Sequence, residues 1–202
     1  MVLDAASPTP HPLRSLVLTQ VAFFVLLAWC VGIDHSRTVQ VDGISFYGVD
    51  HRTVLQLGLA FVVASWGLWR AASHFVALGA PALMGLGVRA VALSLFVVFA
   101  TPFDQGTLLN WTHMTAGVAM ALVQGAITVA LLARTRRPAA VVAFVIQLAG
   151  GLVAFASLPN WDFPYLLQGE IAYQVGFAIA LVVWMLEVTV PLALQAPART
   201  ME

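Results

Sequence analysis

His35, His51 and His113, with Asp50, Asp104, Asp162 and Glu170, are the side chains of this chain best suited to move a proton or grip a metal. A partly desolvated histidine beside a carboxylate holds a proton near neutral pH, so His113, Asp104 and Glu170 could form an acid-base set. The same groups could ligate zinc, which takes three or four His or carboxylate donors. No HxxxH or HExxH spacing supports that, and neither a metal nor another cofactor is expected. Helix capping explains many of the same residues: Asp50 or Thr53 for the second span, Asn110 or Thr112 for the fourth. Glu170 stands where the last span begins and the helix dipole favours a carboxylate, with Tyr173 and Gln174 on its face at i+3 and i+4.

Much of this polarity lies in one stretch, "DHSRTVQVDGISFYGVDHRTV" at 34–54, which holds five of the eighteen formal charges. "DHSRTV" and "DHRTV" nearly repeat around an alternating "VQVDGISFY", which predicts a short hairpin or a plug over whatever lies beneath. A solvated loop is the alternative. Phe46 and Tyr47, between two glycines, suit a segment that dips into an interface.

The elements that must position these groups follow from composition. Of the 202 residues 61% are apolar and 9% charged, with mean hydropathy +0.93. A soluble globule carries about 25% charged residues, so this surface belongs in a bilayer. Apolar runs at 15–33, 53–70, 82–103, 113–133, 139–158 and 171–190 are each long enough to cross about 30 Å of hydrocarbon. They are continuous, not alternating, so the expected fold is all-α: one bundle of six transmembrane helices. The bundle is expected over 15–194, with tails at 1–14 and 195–202 and polar loops at 34–52, 104–112 and 159–170.

The first run follows one nearby arginine, lacks a small-x-small cleavage site and is read as a retained helix. With the N-terminus inside, the inner flanks collect Arg14, Arg70, Arg134, Arg136, Arg137 and Arg199, and the outer flanks only Arg37 and Arg52. The positive-inside rule therefore places both termini in the cytoplasm of a multi-pass cell-membrane protein. The polar loops then share the extracytoplasmic face, and residues 34–54 become its lid. Zero net charge and no basic cluster beyond "RTRR" exclude a nucleic-acid partner. A single cysteine, Cys30, excludes an intrachain disulfide.

Within the spans, ionisable groups are costly unless paired or snorkelling. Arg89 and Glu187 fall about 21 and 26 Å below the outer ends at 1.5 Å per residue, which predicts an ion pair between the third and sixth spans. Gln124 and Gln147 fall near mid-membrane, where amides bond helices together. Gly85, Gly87, Gly117, Gly125, Gly150 and Gly151 offer surfaces for close helix approach.

"GISFYG" at 43–48, "FATPFDQGTLLNWTHMTAG" at 99–117 and "LLQGEIAYQVGFAIAL" at 166–181 resemble elements of the DRAM/FRAG-type superfamily of six-helix membrane proteins and neighbouring bacterial families. The resemblance departs after the Ile-Ser element, where a Pro-rich segment is replaced by "VDHRT". It implies lipid handling without naming a reaction.

Three functions remain open. In the first, an outer polar cap of Asp42, Tyr47, Asp50, His51, Asn110, Trp111, Trp161, Asp162, Tyr173 and Gln174 grips the head of a membrane lipid or other lipophilic small molecule. The second is a membrane-embedded acid-base or hydrolytic enzyme using His113, Asp104 and Glu170. The third is a structural subunit of a membrane complex. Oligomeric state is not legible.

Overall fold

The computed structural model describes residues 12–135, 137–158 and 162–195, and among them all regular structure is helical. The helices are α1 (Pro12–Ile33), α2 (Arg37–Asp42), α3 (Val54–Ala77), α4 (Ala82–Ala100), α5 (Thr107–Arg134), α6 (Pro138–Ala156) and α7 (Leu166–Gln195), with a 3-10 turn at Ile44–Gly48. All but α2 are long and apolar enough to span a membrane. Hydrocarbon offers no partner for backbone N–H and C=O groups, so each span satisfies them along its own axis.

The helices also take in residues expected in loops. α5 begins at Thr107, so 107–112 of the expected 104–112 loop are helical, and Asn110 and Thr112 lie inside the first turns instead of capping them. Gly106, at φ 113°, holds the cap position. Likewise α7 begins at Leu166, placing Glu170 a turn inside. In both segments leucines precede the polar residues, and a polar side chain is tolerated in a helix end that faces the interface. The 34–54 stretch forms no hairpin: α2 and the 3-10 turn make it a compact helical plug.

Packing runs α1 on α3, α3 on α4 and α4 on α5, with α6 and α7 forming the tightest hairpin. Cβ atoms at Gly150 and Gly169 would stand 2.4 Å from the backbone nitrogens of Tyr173 and Ala154, so α6 and α7 meet backbone to backbone. The core between helices holds Leu27, Leu57, Phe75, Val88, Leu131 and Met185, all fully buried. Leu55, Leu83 and Leu108 are about four-fifths exposed, as side chains in contact with lipid tails should be.

Arg89 and Glu187 do not pair. Arg89 lies on the exposed side of α4, its guanidinium 5.5 Å from the Trp69 ring centroid and 3.5 Å from the Ser73 hydroxyl. Glu187 instead accepts Arg137 Nε at 2.5 Å and the Thr135 hydroxyl at 3.3 Å. Equal depth does not fix azimuth. α4 packs on α3 and α5, while Thr135 and Arg137, at the end of α5 and the start of α6, both reach Glu187. Gln124 does bond two helices, donating from α5 to Gln174 of α7 at 3.0 Å, whereas the buried Gln147 has no hydrogen bond to its amide atoms among the described residues.

Candidate functional site

The plug reaches into the bundle at Gly43-Ile44-Ser45. Gly43 has φ 71° and ψ −159°, a conformation available in practice only to glycine. A Cβ there would stand 2.4 Å from Glu170 Oε2. The chain thus turns hard against the α7 carboxylate, and Ile44 N–H donates to Glu170 Oε2 at 2.6 Å. One residue on, Ser45 Oγ lies 2.8 Å from His113 Nε2 on α5.

His113 is 7% exposed. Its Nδ1 lies 3.0 Å from the carbonyl oxygen of Val98 and 2.9 Å from that of Thr101, at the C-terminal end of α4. Carbonyls only accept, so Nδ1 carries a proton; in the neutral ring Nε2 is then the acceptor for the Ser45 hydroxyl. His113 therefore does two things: it satisfies carbonyls that the end of α4 leaves free, and it presents a base to a serine.

The rest of the plug is tied to itself. Arg52 bonds both Asp34 and Asp50, the latter at 3.0 to 3.2 Å. The Arg52 side chain holds the Asp50 carboxyl below the usual carboxylate range. Asp34 is lowered chiefly by the Ser36 N–H that donates to it at 2.8 Å. Asp42 is shifted the other way, upward, because burial disfavours its charge. Tyr47 is fully buried and donates to the Asp34 carbonyl at 2.9 Å; burial raises its phenol. Thr53 Oγ1 donates to the Tyr47 carbonyl at 3.0 Å, and a Gln168–Gln40 amide bond ties the plug to α7.

Of the acid-base set, His113 and Glu170 are thus brought to adjacent plug residues, whereas Asp104 stands exposed on the turn before α5 with no hydrogen bond or ion pair among the described residues. His51 is exposed beside Asp50 at 3.5 Å, and Asp162 is exposed 3.9 Å from Arg37. Asn110 and Trp111 face outward from α5. Trp161 lies outside the described residues. Among the described residues no three His, Cys, Asp or Glu side chains converge to offer a metal a donor set.

Tyr173 and Gln174 belong to a different place. Tyr173 donates to the Ala121 carbonyl at 2.5 Å. Gln174 lines a narrow groove between α1, α3, α4, α5 and α7, open along one side and with about 40 Å³ of room inside. Its walls are Phe23, Phe24, Leu68, Leu95, Phe177 and Leu181. Gln124, Gln174 and Gln20 stand in its wall with their amides already taken, Gln124 and Gln174 by each other and Gln20 by the Ala178 carbonyl at 3.3 Å, so the surface it offers is almost wholly apolar.

Ser45, Gly43 and Gln20 were not singled out from the sequence as site residues. Ser45 and Gly43 sat in plain view within "GISFYG", and a serine two residues after a glycine was the available signal. Gln20 gave its own: one amide in an apolar run. No family model, curated protein or solved structure matches this chain.

Proposed function

We propose that this integral membrane protein binds a lipophilic small molecule or a lipid tail in the groove, with the plug as the lid of the outer face. The observation that carries this is the groove's make-up: an almost wholly apolar slot of aromatic and aliphatic side chains, the kind of surface that holds an apolar body, with glutamine amides paired within its wall. A carbonyl or hydroxyl on the ligand would exchange with the Gln124–Gln174 bond instead of leaving an amide unpaired. The resemblance to the DRAM/FRAG-type superfamily points the same way, toward lipid handling.

Native mass spectrometry of gently solubilised protein tests it. A lipophilic adduct is expected on the wild type, at least tenfold depleted in Gln124→Leu/Gln174→Leu and in Ala178→Phe, which narrows the groove. No adduct on the wild type, or one indifferent to both variants, sinks the proposal and leaves the structural-subunit function in its place.

A membrane hydrolase is the second reading, favoured by the Ser45–His113 pair. Ser45 Oγ would attack an ester carbonyl while His113 Nε2 takes its proton; the leaving alcohol takes that proton, and water repeats the sequence on the acyl-serine to release the acid. Glu170 then acts as a positioning residue through Ile44. A fluorophosphonate probe on isolated membranes should label Ser45 and spare the Ser45→Ala variant. An unlabelled wild type removes the hydrolase.

A further inference from the structure

At the end of the bundle away from the plug, α1 and α3 form an open hollow, parted from the groove by Thr19, which lines both. Leu16 and Phe23 of α1 are buried toward the groove, while Leu18, the residue before Thr19, is 57% exposed and lines the hollow with Ser15. Its floor is closed where the helices touch: a Cβ at Gly67 would stand 2.0 Å from the Thr19 Cγ2. Arg14 and Arg70 line it from the two helices, with the exposed indole of Trp66 beside them.

The charges in this hollow are unbalanced. Neither arginine has an ion pair or hydrogen bond to its side chain among the described residues, nor does the Ser15 hydroxyl. Glu187, the described carboxylate at this end of the bundle, is taken by Arg137 and Thr135. Among the described residues, the remaining arginines here, Arg89 and Arg134, lie over Trp69 and Trp184. Two like charges facing one hollow repel unless an anion sits between them, and guanidinium forks match phosphate oxygens two at a time. Trp66 has the amphipathic ring that settles at headgroup level, and Leu18 continues the surface toward the hydrocarbon.

We infer that Arg14 and Arg70 seat the phosphate of an anionic phospholipid from the leaflet at that end, with its chain along Leu18. Juxtamembrane arginines draw on the negative surface of such a leaflet, but this hollow adds a defined place for one headgroup.

The test is native mass spectrometry of the full chain released from nanodiscs of equal phosphatidylglycerol and phosphatidylcholine. Wild type should retain phosphatidylglycerol at least fivefold over phosphatidylcholine. Arg14→Gln/Arg70→Gln should lose that preference, Arg14→Lys/Arg70→Lys should keep part of it, and Arg134→Gln should keep all of it. Equal retention of the two lipids by wild type overturns the site without any variant, as does a preference that survives the glutamine pair. Displacement of the lipid by millimolar inorganic phosphate would assign the hollow to a free anion and overturn the lipid.

Discussion

The two ends of this bundle spend the same scarce resource differently. At the plug end, polar groups reach inward and bond across elements: Ser45 to His113, Ile44 to Glu170, Gln40 to Gln168, Arg52 to Asp34 and Asp50. At the other end the connections are short; Arg89 and Arg134 lie over tryptophans, Arg137 lies against one carboxylate, and Arg14 and Arg70 line a hollow. Twenty residues between α1 and α3 leave room for a folded lid; the few residues at 78–81 and 135–137 do not. A loop with its own interior can position chemistry, whereas a tight turn can only anchor the helices it joins.

If that contrast is real, the largest effect comes from the residue that lets the plug turn. Gly43→Ala places a Cβ in a glycine-only conformation and against Glu170, and should cost about 2 to 3 kcal/mol. A fall in thermal midpoint in detergent measures it, and the wild-type midpoint in Gly43→Ala would mean the plug is not built on that turn. By comparison Gly79→Ala, also at positive φ but with open space around its Cβ, should cost only the backbone strain.

Next in size is the coupling between plug and bundle. Ser45→Ala and His113→Ala should interact by about 1 kcal/mol in a double-mutant cycle, with His113→Ala the worse single change because it also strips the Val98 and Thr101 carbonyls of their donor. Additive singles would reduce the plug to a loop that merely lies on the surface.

The opposite end should give smaller numbers. Arg137 is half exposed, so an Arg137–Glu187 cycle should yield under about 1 kcal/mol, and an Arg89–Glu187 cycle none. Coupling between Arg89 and Glu187 would contradict the packing described for α4.

The smallest effect is a pH response confined to the plug. Asp34 and Asp50 have folded pKa values below their unfolded ones, so their contribution is present above the usual carboxylate range, near pH 4, and is lost as pH falls through the lowered values. Asp42, raised by burial, has the opposite sign: ionising it as pH rises through its folded value opposes folding, and acid relieves that. Amide protection at 34–53, taken relative to the intrinsic exchange rate at each pH, should therefore fall below about pH 4 while the spans stay protected. Equal acid sensitivity at both ends would erase the distinction.

Apolar runs of membrane-spanning length determined the class of this protein by themselves, because hydrocarbon permits little else to a continuous apolar chain. The pattern of polar residues grouped His113, Asp104 and Glu170 with the 34–54 stretch; His113 and Glu170 bond to that stretch, and Asp104 stands exposed away from it. Helix starts were less legible: leucines ahead of Asn110 and Glu170 extended α5 and α7 into expected loops. What only the tertiary structure decided was azimuth. Depth along a helix is counted from sequence, but which neighbour a side chain faces depends on how helices rotate and pack, so Glu187 met Arg137 instead of Arg89, and Gln124 met Gln174. For the same reason Ser45, unremarkable in a row of residues, stands against His113 only once the plug has folded into the mouth of the bundle.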